Sequence, residues 1–165
     1  MRAFIIAAMT ADGNIAKDPL TPSTTWTGKE DKKRFIELTK RAGVIVMGLN
    51  TYNTIGKPLP GRVNIVYAPA GTPPIPGVEM TTKSPAELLS ELEARGLKEA
   101  AICGGSMIYT MFMKSGLVNK LYLTIEPVAF GDGVRLFKEG FERRLKLENC
   151  TTTESGALQL EYSVN

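Results

Sequence analysis

The sequence predicts an α/β protein: a three-layer sandwich whose central, mostly parallel sheet carries an antiparallel hairpin at its C-terminal edge. Three observations carry this. Short, continuously apolar runs recur along the chain, as strands covered on both faces require. Stretches with helical spacing lie between them. The tail changes to strict alternation around a turn, which is a hairpin signature. A length of 165 residues with 43% apolar and 22% charged residues suits one globular domain, residues 1–165.

Residues 3–9 (AFIIAAM) predict a first strand buried on both faces. Its apolar run is too short for a signal peptide or a membrane span. Residues 10–28, rich in Thr, Gly, Pro, Asp and Ser, read as one long loop of the kind that carries function. Residues 29–42 read as a helix with Phe35, Leu38 and Ala42 on one stripe, ended by Gly43. VIVM (44–47) is a second buried strand, 50–56 a short helix, PLPGR a turn and VNIVYA (63–68) a third strand. Residues 69–77 are a proline-rich surface connection. Residues 85–95 are an amphipathic helix with Pro85 at its start. AAIC (100–103), a GGS turn, a helix over 106–115 and a strand over 121–129 follow. RLKLENCTTT and ALQLEYSV, joined by ESG, form the closing hairpin.

Composition removes whole classes of chemistry. With 0 His, neither a serine triad nor a histidine-ligated zinc site is possible. The 2 Cys, Cys103 and Cys150, lie far apart, make no metal cluster, and read as reduced thiols in a cytoplasmic protein. A net charge of +3, scattered along the chain, is too small to argue for nucleic acid. Proton transfer therefore falls to Asp, Glu, Lys, Tyr, Cys or water.

Parallel sheets bind ligands at the carboxyl ends of their strands. That directs attention to Met9–Trp26, Gly48–Thr51 and Cys103–Ser106. Cys103-Gly104-Gly105-Ser106 joins a strand to a helix; two glycines let a ligand approach the main chain, and the helix start suits a phosphate. It also reads as a plain tight turn, and it is not a GxGxxG motif. Gly48-Leu49-Asn50-Thr51 is a second such junction, with Asn50 or Thr51 placed to cap a short helix. Two junctions in one sheet suit the two ends of an extended phosphorylated ligand such as a dinucleotide. Asp31 shares a helix face with Phe35 and Leu38. An acid on that stripe suits a cationic heterocycle with paired N–H donors; it equally suits the helix dipole. Lys57-Pro58-Leu59-Pro60-Gly61-Arg62 is a rigid turn that aims Arg62, either at a ligand carboxylate or at solvent.

Taken in order, these segments resemble the dihydrofolate reductase superfamily over nearly the whole chain. The resemblance runs through FIIAAMTADGNIA, Trp26 with Asp31, DKKRFIELT, VIVMG, NTYNTIGKPLPGRVNIV, ICGGSMIY, LYLTIEPVAFGD and the closing pair. It implies reduction of 7,8-dihydrofolate to tetrahydrofolate by hydride transfer from NADPH. By that resemblance Asp31 binds the pterin amidine edge and supports N5 protonation. Thr124 hydrogen-bonds the same carboxylate system, and Trp26 helps hold an ordered water. Phe35 flanks the ring system, and Ile6, Ala7 and Ala8 meet pterin and nicotinamide through their backbone. Arg62 pairs with the substrate's α-carboxylate, with Lys57 and Leu59 from the same turn on the substrate side. Ile15 and Ala16 lie over nicotinamide. Gly48, Thr51, Gly104, Gly105 and Tyr109 match the cofactor turns, which also bring Leu49, Asn50, Cys103, Ser106, Met107 and Ile108 to the cofactor.

The sequence departs from that pattern at several points. Thr25-Trp26 replaces a Pro-Trp pair, and Thr27-Gly28-Lys29 follows it. Leu49 and Ala68-Pro69 stand where a base and a Ser/Thr-Arg pair commonly read the cofactor's 2′-phosphate. NADH is therefore a possible alternative, unless Lys83 or Lys17 substitutes. Trp26-Thr27-Gly28-Lys29-Glu30 also looks like the riboflavin-biosynthesis reductases, which reduce a phosphoribosylaminopyrimidine with NADPH. The folate branch is preferred because of Asp31, PLPGR and NIV. A non-catalytic nucleotide- or pterin-binding module is the remaining alternative.

Overall fold

Alternation along the first strand decides the layering. In the computed structural model, which describes residues 1–165, β1 (Arg2–Thr10) sends Ala3, Ile5 and Ala7 to one face and Phe4 and Ile6 to the other; all five are buried. The Ala3 face packs on Leu88, Leu89 and Leu92 of α3 (Pro85–Ala94) and on Ile108, Tyr109, Phe112 and Met113 of α4 (Ser106–Ser115). The Phe4 face packs on Phe35, Leu38 and Ala42 of α1 (Lys29–Ala42) and on Tyr52 of α2 (Leu49–Ile55). Two cores separated by one sheet make three layers. Each large side chain taken fully inside, such as Phe112 or Ile45, contributes roughly 1.5–3 kcal/mol.

The sheet runs β5-β4-β3-β6-β1-β7-β10-β9. Here β3 is Val44–Gly48, β4 Val63–Tyr67, β5 Glu79–Thr81, β6 Glu99–Ile102, β7 Val118–Glu126, β9 Leu145–Thr152 and β10 Leu158–Val164. Every pair from β5 to β7 is parallel, whereas β10 is antiparallel to both β7 and β9. β9 closes the edge with all eight residues exposed.

Helices α1 and α4 span the expected 29–42 and 106–115. Each ends on a glycine, Gly43 or Gly116, held at φ +73°, a conformation that halts the helix and that only glycine adopts without strain. α3 starts with Ser84 and Glu87 bonding reciprocally across its first turn, with Pro85 at the first helical position. Three short strands depart from expectation. β2 (Asn14–Ala16), inside the expected loop, pairs with β8 (Val134–Arg135), and β5 extends the sheet after the prolines. The strand expected at 121–129 begins at Val118 and ends at Glu126. No helix is long and apolar enough to cross a membrane.

Candidate active site

From β1 the chain enters α1 on one face of the sheet; from the adjacent β6 it enters α4 on the other. The carboxyl ends of β1, β3 and β6 therefore open between the helices, the place where such sheets bind ligands.

Asp31 stands in the first turn of α1, half-buried. Burial pushes its carboxyl above the ordinary aspartate range; the hydroxyl of Thr124 opposes this, the charge of Glu126 reinforces it, and Arg34 opposes it. Thr124 pairs with Ala8 and Glu126 with Thr10, so both sit at the carboxyl end of β1. Arg34 is fixed by the carbonyls of Leu123 (2.9 Å) and Leu160 (2.8 Å), with its guanidinium 5.4 Å from the Tyr122 ring. Phe35 and Leu38 continue the Asp31 face into the apolar core, as their spacing predicts.

Trp26 lies in the loop before α1. Its ring meets Phe130 edge-on at 5.3 Å, and its indole Nε1 is buried without a hydrogen-bond partner. Lys17 sits 5.2 Å above the other ring of that pair, Phe130. Ile15 and Ala16 belong to β2, and the Ala16 carbonyl packs so close to Gly133 that a Cβ there would lie 2.5 Å away. Asp12 ties this loop to the one after β7 by accepting from the Gly131 N–H (2.7 Å) and the Phe130 N–H (3.2 Å).

The two glycine junctions meet. The Gly48 N–H donates to the Gly104 carbonyl at 2.7 Å, and a Cβ on Gly105 would stand 3.3 Å from Thr51 Oγ1. Gly104 is at φ +101°, with the Tyr109 ring 2.9 Å from where a Cβ would be. Tyr109 donates to the Ile6 carbonyl at 2.8 Å, tying α4 to β1. Burial pushes the Cys103 thiol beside this turn up to about 12, so it is inert as a nucleophile. Ile108 is buried against Gly48, Ser106 is partly covered, and Met107 is 65% exposed. The capping expected of Asn50 or Thr51 does not occur. α2 begins one residue earlier, at Leu49, with Gly48 as its cap residue, and the Asn50 side chain is exposed. Leu49 packs on the α1-side core.

Arg62 emerges from a turn that Asn64 makes rigid. The buried Asn64 amide accepts from the Leu59 N–H and donates to the carbonyls of Leu59 and Arg62 at 2.8–2.9 Å. Arg62 itself donates to Thr39 Oγ1 (2.6 Å) and the Pro60 carbonyl (3.1 Å) through Nη1 and Nε. Lys57 is exposed at the rim, while Leu59 is half-buried.

The family model described as dihydrofolate reductase matches residues 2–138. The chain belongs to the dihydrofolate reductase family. It is 35% identical over 126 residues to the type 3 dihydrofolate reductase of Salmonella typhimurium, covering 75% of this chain and 71% of that one. Among solved structures, a putative riboflavin biosynthesis protein from Shewanella sp. PV-4 superposes with TM-score 0.86 at 21% identity, covering 100% and 99% of the two chains. Dihydrofolate reductase from Enterococcus faecalis, complexed with NADP(H) and RAB-propyl, superposes with TM-score 0.75 at 25% identity, covering 99% and 96%. Membership of the dihydrofolate reductase family makes the protein an oxidoreductase of this fold. Glu126 was not anticipated in the site, although the one carboxylate of β7, two residues after Thr124, was the available signal.

Proposed function

We propose that this protein reduces 7,8-dihydrofolate to 5,6,7,8-tetrahydrofolate, a hydride from NADPH going to C6 and a proton to N5. The observation that carries the reading is Asp31: a half-buried acid at the carboxyl end of β1, between Thr124 and an aromatic helix face. A bound reduced nicotinamide supplies the hydride. The residues fit such a cofactor: the apposed Gly48 and Gly104–Gly105 turns bring bare backbone to the cleft, and α4 starts with no side-chain cap over its first amides. Trp26 offers a buried donor with no partner inside the protein.

Asp31 holds the amidine edge of the ring through a charge-assisted pair of hydrogen bonds. Burial raises its proton affinity above that of an ordinary aspartate, and transfer to N5 runs through water ordered by Trp26. Thr124 orients the carboxylate. Phe35 excludes water from the ring, and Arg62, preset by Thr39 and Asn64, takes the substrate's α-carboxylate. Ile6, Ala7 and Ala8 form the floor, while Ile15 and Ala16 cover the nicotinamide side.

The run Trp26-Thr27-Gly28-Lys29-Glu30 favours a second reading, reduction of a phosphoribosylaminopyrimidine by the same cofactor. One assay separates them: the purified protein is given NADPH with dihydrofolate or with the aminopyrimidine, and loss of the reduced nicotinamide's absorbance is followed. Turnover with dihydrofolate is expected. Turnover with the aminopyrimidine alone reassigns the substrate, and oxidation with neither removes the enzymatic reading.

A further inference from the structure

Glu126 ends β7 with 3% of its surface exposed, and the proposed reduction does not use it. Its carboxylate accepts from the Gly28 N–H at 2.8 Å, on the residue that opens α1 three places before Asp31. Thr124 lies two residues back on the same β7 face, so the pair flanks the Asp31 carboxylate from the sheet side. The surroundings of Gly28 are also acidic and close. A Cβ there would stand 3.1 Å from Glu30 Oε2 and 3.7 Å from Glu126 Oε1. A neutral glutamine would accept the same amide bond, so exchanging the acid for its amide separates anchoring from charge.

We propose that Glu126 is a positioning residue for Asp31: it pins the entry to α1 through Gly28 and so places its carboxylate beside the helix turn that carries Asp31. Charged and titratable groups lie around Asp31 on its own helix and on the elements packed against it. Glu30 and Arg34 stand on α1, and Glu126 on β7. Tyr109, on α4, is kept neutral by its burial. Behind Arg34, Glu161 of β10 adds negative charge but is paired with Lys120. Burial raises the proton affinity of Asp31 and Glu126 adds to it, while Thr124 and Arg34 oppose it. The proposal rests on Asp31 being the ligand-facing acid, not on which ring it holds.

The test needs no substrate. The chain has four aspartates, Asp12, Asp18, Asp31 and Asp132, so carboxyl-labelled aspartate gives four carbon-13 signals, and Asp31→Asn assigns the one of interest. In the wild-type chain the Asp31 midpoint should lie above the ordinary range; a midpoint at or below that range overturns the proposal without any variant. Glu126→Gln keeps an acceptor for Gly28 and should lower the midpoint by ~0.5–1 pH unit, leaving the Gly28 amide signal in place. An unmoved midpoint overturns it. Glu126→Asp keeps the charge and should hold the midpoint nearer wild type; a fall equal to that of Glu126→Gln counts against a role for charge. If Glu126→Gln shifts the midpoint while dihydrofolate is not turned over by the wild-type enzyme, the substrate assignment fails and the pairing of the two acids stands.

Discussion

Asp31 is where sequence and chemistry meet most directly. Its place on the Phe35 and Leu38 face was readable from spacing alone, because a helix repeats side chains every three to four residues. Glu126 was not readable in the same way. Whether the last residue of a strand is covered depends on the loop that folds over it, here Gly28, and no local pattern encodes that. The raised proton affinity of Asp31 has two consequences. Asp31→Asn should lower turnover by ~10²–10⁴-fold near neutral pH and much less in acid, where substrate arrives protonated. A flat pH response in the variant counts against a proton-linked role. The folded state also binds the Asp31 proton more tightly than the unfolded chain. Its contribution is therefore intact in acid and is lost as pH rises through the folded midpoint. Thermal melts should show Asp31→Asn more stable than wild type at alkaline pH, with the gain vanishing in acid.

At the scale of elements, helix limits were legible because glycine and proline mark them: Gly43 and Gly116 stop helices, and Pro85 starts one. The strands β2, β5 and β8 were not, since two or three residues pair according to the partner that arrives from elsewhere. The glycine junctions were visible as sequence, but their contact, Gly48 N–H to Gly104 carbonyl, is set by the pairing of β3 with β6. Gly104→Ala should cost at least ~2 kcal/mol in urea unfolding, because the new methyl would meet the Tyr109 ring in a backbone conformation alanine resists. Under the proposed function the same turns bear on cofactor choice. Lys83 is paired with Glu91 and Lys17 lies on Phe130, and Leu49 and Ala68-Pro69 offer no base beside the proposed cofactor turns. Discrimination between NADPH and NADH should fall below ~1000-fold (~4 kcal/mol); a larger ratio of kcat/KM values contradicts this.

Across the whole molecule, two cores grip one sheet, and the candidate site lies where α1 and α4 leave the carboxyl ends of its central strands. Its rim is held by a clip between the 10–28 loop and the segment after β7, centred on Asp12. The Thr10 hydroxyl and the Gly131 and Phe130 amides hold the Asp12 carboxyl well below the ordinary range. The clip's contribution is thus present above the unfolded midpoint and lost only as pH falls through the depressed folded one. Asp12→Ala should speed amide hydrogen exchange at Phe130 and Gly131 across neutral pH while leaving exchange in β3 and β6 unchanged. Equal exchange in both proteins would show that the clip does not restrain the rim.

That clip also turns a compositional accident into an instrument. The chain contains 1 Trp, Trp26, and its indole rests edge-on against Phe130 in the segment that leads into α1. All indole emission therefore originates at one spot, so occupancy of the proposed site can be read in the unlabelled protein as a change in tryptophan fluorescence, with no dye.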